Sequence, residues 1–127
     1  MIPTFHCEVE AIDLTETIEP DVTAELERLC CFALALEDRE SRWTVSLVLT
    51  DDAHITRLHD EFMGIPEPTD IMTFPDDDDP GGDIVISVDQ ANRQRVDDDW
   101  SLAGELRFLV VHGVLHLTGW DDATGEL

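Results

Sequence analysis

The run Leu109-Val-Val-His112-Gly-Val-Leu-His116-Leu-Thr-Gly119-Trp-Asp-Asp122 constrains this chain more than any other stretch. Its apolar density predicts a buried helix. A helix turns once every 3.6 residues, so His112 and His116 share one face, with Cβ atoms roughly 5–6 Å apart. Two imidazoles so placed can share one metal ion. Gly119 suits the left-handed residue that ends a helix. Past it, Trp120, Asp121 and Asp122 can turn back toward the histidine face. A third ligand from that turn would leave one position for water, the arrangement of catalytic rather than structural zinc. Manganese and nickel suit the same donors. Asp122 follows His116 by the six residues seen in one zinc-protease pattern, but that pattern needs a glutamate directly after the first histidine. Gly113 stands there, which reduces the peptidase reading to a minor one.

The remaining chain must supply one core for this helix. Its 127 residues, 43% of them apolar, predict a single domain over residues 1–127, without internal repeats or a separating linker. No apolar run is long enough for a membrane span. The start, Met-Ile-Pro-Thr-Phe-His-Cys, has neither the basic residues nor the apolar stretch of a signal peptide, so a cytoplasmic location is expected. Cys7, Cys30 and Cys31 are an odd set, and reduced thiols are expected rather than a disulfide framework. Thirty acidic residues face seven basic ones, all arginine, for a net charge of −23. Such a surface repels itself unless salt shortens the Debye length, which points to a saline, halophile-like cytoplasm. Charge alone argues against nucleic-acid binding.

Hydrophobic periodicity gives the elements. Phe5 to Ile12 alternates as a strand, with Phe5, Cys7, Val9 and Ala11 on one side. Pro20 opens a helix whose stripe reads Val22, Leu26, Leu29, Ala33 and Leu36. Asp38 to Ser41 is a turn, and Trp43 to Thr50 a β-branched strand. Asp51 or Asp52 caps a helix carrying Ile55, Leu58 and Phe62, broken by Gly64 to Pro68. Ile71 to Phe74 and Ile84 to Ile86 are short strands separated by the acidic loop from Asp76. Helices then run from Val88 to Asp98 and from Ser101, the N-cap, to Leu117. The order β-α-β-α-β-β-α-α predicts an α/β (α+β) fold. One mixed sheet of about four strands would pack against the last, metal-bearing helix. Phe108, Leu109, Val111, Leu115 and Leu117 predict that this helix is largely buried, its histidine face opening into a cleft.

Three blocks carry a family resemblance. His112-Gly-Val-Leu-His-Leu-Thr-Gly-Trp-Asp-Asp122 resembles His-Gly-x-Leu-His-Leu-x-Gly-Tyr-Asp-His of the YbeY family of bacterial rRNA maturation factors. Pro68-Thr-Asp-Ile-Met-Thr-Phe-Pro75 is similar to its Pro-Thr-Asp-Val-Leu-Ser-Phe-Pro, and Gly82-Asp-Ile-Val-Ile-Ser87 to its Gly-Asp-Ile-x-Ile-Ser. The blocks fall in the family's order and span roughly residues 43 to 122.

The resemblance implies a metal-dependent, single-strand-specific endoribonuclease acting in 16S rRNA maturation and small-subunit quality control. It would hold one zinc ion. Its partners would be single-stranded rRNA, the small ribosomal subunit and ribosome-assembly proteins, with no membrane and no DNA. His112 and His116 match two of the family's three histidine ligands, and Asp122 stands at the third. Asp70 is a candidate general base or a carboxylate around the metal site, and equally a carboxylate that caps a strand end. Thr69 and, more weakly, His59 are candidate substrate contacts. An arginine of the family after the aromatic residue ending its second helix falls on Met63. Arg107 lies off the histidine face and is expected to pair with an acid. Two alternatives stand beside the nuclease: a non-catalytic ribosome-assembly factor that keeps the fold and a structural metal, and another zinc-dependent hydrolase.

Overall fold

The computed structural model describes residues 6–120. Within them run β1 (His6–Asp13), α1 (Pro20–Glu37), β2 (Arg42–Thr50), α2 (Asp52–Met63), β3 (Ile71–Pro75), β4 (Gly81–Ser87), α3 (Val88–Asp98) and α4 (Leu102–Leu117). The order is the expected one. Phe5, read as the head of β1, lies outside the described residues, as do Asp121 and Asp122. The strands form one mixed sheet in the order β1-β2-β4-β3. β1, β2 and β4 are parallel, and β3 pairs antiparallel along the edge of β4.

Helix starts follow their capping residues. Pro20 opens α1. Asp51 accepts from the His54 N–H at 2.9 Å, and Ser101 from the Gly104 N–H at 3.0 Å. Each satisfies one of the amides that a helix start leaves without a partner. Strand alternation divides the core in two. Val45, Leu47 and Leu49 of β2, with Ile84 and Ile86 of β4, face a large cluster shared with α1, α3 and α4. Val48 and Val85 face the other way, toward Ile55 and Leu58 of α2.

Three expectations are corrected. β4 begins at Gly81, not Ile84. Glycine reads as loop because it disfavours strands, yet this interior strand needs it. Gly82 has φ 145°, and a Cβ there would lie 2.3 Å from the Phe74 carbonyl oxygen. The buried stripe of α1 runs through Leu26, Cys30 and Leu34, leaving Leu36 in solvent. At 100° per residue, Leu36 falls well away from the line through Leu26. On α4 only one face is buried, through Leu106, Leu109, Val110, Gly113, Val114 and Leu117. Phe108 and Val111 stand 49% and 37% exposed. The cysteines are unbridged, as expected, although Cys7 on β1 and Cys31 on α1 bring their sulfurs to 2.7 Å.

Helix α4 lies unusually close to the sheet. A Cβ on Gly113 would sit 2.8 Å from Ile84 Cγ2 and 3.0 Å from Ile71 Cδ1. Two turns earlier, Glu105 is 1% exposed, and its Oε1 has no hydrogen-bond partner among the described residues. Burial, then a hydrogen bond with Asp98 and the negative charges of Asp98 and Asp70, push its carboxyl up to about 7.

Two outcomes follow. Gly113→Ala gains helix preference of ~1 kcal/mol but must displace β-branched side chains of β3 and β4, at ~1–3 kcal/mol. Urea unfolding is expected to show a net loss of roughly 1–2 kcal/mol, and an unchanged midpoint would contradict the close approach. Glu105 binds its proton more tightly in the folded than in the unfolded chain. Its contribution is complete below the unfolded value near 4.5 and is lost as pH rises through about 7. Glu105→Gln should therefore flatten the fall in thermal stability across that window and raise the melting temperature by a few degrees at pH 8. Parallel melting curves for both proteins at every pH would contradict it.

Candidate active site

The three motif blocks, distant in sequence, meet at the β3 edge. Residues 68–75 supply β3 and its entry, and residues 82–87 lie in β4. The two pair from Ile71↔Ile86 to Pro75↔Gly82. The histidine block packs over both through Gly113. The residue that removes the protease base is therefore the one that lets α4 reach the sheet.

His112 and His116 stack with ring centroids 4.8 Å apart and planes at 21°. Their Nε2 atoms approach to 3.0 Å. Two imidazole nitrogens that close either share a proton or share an ion. With metal–nitrogen bonds of ~2.0–2.1 Å, the separation subtends about 95° at an ion, within a small side-chain rotation of a tetrahedral site. The donor chemistry and the bite both fit a zinc-like cation.

A Schellman turn ends α4: Trp120 N–H donates to the Leu115 carbonyl at 2.9 Å and Gly119 N–H to that of His116 at 3.2 Å. Gly119, at φ 101°, makes the reversal. Beyond it the Trp120 indole donates to Glu37 of α1 at 2.9 Å. Asp122, the expected third ligand, lies outside the described residues. Among the described residues no third His, Cys, Asp or Glu joins the pair.

His116 opens into a cleft of about 380 Å³, shared with His59, Met63, Thr69, Ile71, Met72 and Thr73. Three expected site residues, His116, Thr69 and His59, are thus together. His59 Nδ1 lies 2.7 Å from the Glu67 carbonyl oxygen. A carbonyl can only accept, so Nδ1 carries the proton and, in the neutral ring, Nε2 is left as an acceptor. Met63 occupies this cleft too. Asp70 borders the cleft from the strand entry without lining it. Its carbonyl accepts from the Ser87 N–H at 2.9 Å, and its Oδ2 from Gln94 of α3 at 3.4 Å. Arg107 pairs with Glu25 at 2.5 Å, as expected.

Sequence reasoning overlooked Glu105 and the rings of Trp100 and Phe108. A signal existed: Phe108 stands four residues before His112, and its ring meets the imidazole edge-on at 6.1 Å.

A family model described as Endoribonuclease YbeY matches residues 8–127. Endoribonuclease YbeY of Roseiflexus castenholzii is 38% identical, over 80% of this chain and 71% of its own. That of Moorella thermoacetica is 38% identical, over 94% and 86%, and that of Bacillus licheniformis 36%, over 93% and 84%. In fold, the chain is similar to a Thermotoga maritima protein solved in solution, with TM-score 0.62 at 23% identity over 91% of this chain and 73% of that one. With its three blocks converging on one edge, the family model matching residues 8–127 and these relatives matching four-fifths or more of its length, the chain belongs to the YbeY family.

Proposed function

We propose that this protein is a metal-dependent endoribonuclease acting on single-stranded rRNA in maturation and quality control of the small ribosomal subunit. One observation carries the site assignment: the Nε2 atoms of His112 and His116 stand 3.0 Å apart, and His116 lines the cleft that holds Thr69 and His59. His112 and His116 hold the ion, zinc in this reading, and Asp122 completes the ligand set. A divalent ion so held supplies Lewis-acid polarisation of a phosphate oxygen and a more acidic water.

The chain's own residues do the rest. The Thr69 hydroxyl donates to a phosphate oxygen. His59 Nε2 accepts from a sugar hydroxyl, which RNA offers and DNA lacks. Asp70 would accept the proton released as water attacks the phosphorus, while the P–O bond to the departing ribose oxygen breaks and that oxygen takes a proton from solvent. No helix among the described residues is long and apolar enough to cross a membrane, and cytoplasmic work beside ribosomes and their assembly proteins suits this reading. The acidic surface calls for assays in high salt. Met63, in the cleft where the family carries an arginine, favours the second reading: an assembly factor that keeps the fold and a structural metal.

Elemental analysis of purified protein should find one zinc per chain, and His116→Ala or Asp122→Asn should lower that content. Chelation, or His116→Ala, should cut cleavage of single-stranded RNA at molar salt by at least about 100-fold. Undiminished cleavage in the variant would sink the site. Asp70→Asn should keep its zinc while kcat falls by about 10²–10⁴, the usual weight of a general base. Unchanged kcat would leave Asp70 only its place at the strand entry.

A further inference from the structure

From Trp100, just ahead of α4, four rings follow one another along that helix to His116, which opens into the cleft. Trp100 meets Phe108 edge-on, with centroids 5.6 Å apart. Phe108 meets His112 at 6.1 Å, and His112 stacks on His116 at 4.8 Å. Trp100 and Phe108 are 43% and 49% exposed and line a groove of about 710 Å³ with Leu29, Asp99, Arg107 and Val111. Helical packing does not demand these rings, because the buried face of α4 is made by other residues.

We infer that this groove is a base-stacking subsite, holding unpaired nucleobases of the RNA strand next to the phosphate at His112 and His116. The inference rests on the ribonuclease reading and adds the part of the substrate recognised. Charge selects a base over a phosphate. The one arginine of the groove is already held by Glu25, and Asp99 beside it repels phosphate but accepts hydrogen bonds from the amino groups of bases. Stacking also answers the electrostatic problem of the chain. With a net charge of −23 and no lysine, contacts to phosphate cannot carry the affinity, and salt would screen them. Base–aromatic stacking is sequence-tolerant, because every base has a π-face, and each stacked base contributes appreciably. A single strand can splay its bases into such a groove; a duplex keeps them inside.

Binding of a short, end-labelled single-stranded RNA to the full chain, followed by anisotropy, tests this. His116→Ala in the background prevents cleavage. Trp100→Ala and Phe108→Ala should each weaken binding about 5–50-fold, while the ring-keeping Trp100→Phe and Phe108→Tyr stay within about threefold of the parent. Affinity should change little on raising salt at molar concentrations, unlike phosphate-driven binding. Tryptophan fluorescence should be quenched by RNA, and the quenching lost in Trp100→Phe. Alanine variants that bind like the parent would overturn the subsite and leave the groove to a protein partner. So would ring-keeping variants as weak as the alanine ones, which would reveal a folding effect. If the protein without the His116→Ala change binds RNA through these rings but never cleaves it, the nuclease reading fails and the subsite stands. If the protein with His116 intact cleaves, and Trp100→Ala and Phe108→Ala made in it keep its KM, the subsite alone fails.

Discussion

The approach of α4 to the sheet at Gly113 is the contact on which the site depends. Only a hydrogen side chain lets the helix settle against Ile84 and Ile71, and that depth sets where the neighbouring residue, His112, emerges. Its partner one turn on, His116, then opens into the cleft at the β3 edge. A helix set farther out would carry the same two histidines at the same spacing but away from Thr69 and His59. Spacing within a helix makes the pair; packing against the sheet sets His116 into the cleft beside Thr69 and His59.

The sheet end beneath the helix is tied by hydrogen bonds rather than by bulk. Ser87, fully buried, donates its amide to the Asp70 carbonyl and its hydroxyl to Asp52 at 2.8 Å. It also accepts from the Gln90 amide at 3.2 Å, capping α3. One small residue thus joins the entry to β3, the start of α2 and the start of α3. Buried polar groups satisfied in this way hold a single arrangement, because each broken bond leaves an unpaired group away from water. Arg93 reinforces the junction from outside through Asp52, at 2.6 Å.

The acidic surface and an RNA substrate pull in opposite directions, and the proposed stacking groove is where that conflict would be eased. Arg93 and Arg107 are both committed to carboxylates of the chain itself. The surfaces flanking the histidine pair are instead apolar and aromatic, with Met63 and Met72 on one side and Phe108 and Trp100 on the other. Such surfaces gain nothing from low salt and lose little at high salt, whereas a lysine-rich track would lose most of its affinity there.

Much of the fold was legible in the chain, because strand and helix periods differ and the helix caps at Asp51 and Ser101 are local chemistry. The order of elements, the shared face of His112 and His116 and the three blocks around them needed no third dimension. What the chain did not reveal is non-local. Gly81 and Gly82 read as loop because strand preference is a property of average surroundings, and only the nearness of the Phe74 carbonyl explains why glycine belongs inside β4. Phe108 and Val111 read as core because an apolar helix says how much surface wants burial, not which side finds a partner. Glu105 went unremarked in the chain, and only the packing of α4 removes it from water. The sequence by itself determined which residues could share an ion and which segments could be strands or helices, since those follow from backbone geometry within a few residues. Only the tertiary structure decided which side chains meet at the β3 edge and which aromatic rings stay in solvent, since that depends on contacts between segments far apart in the chain.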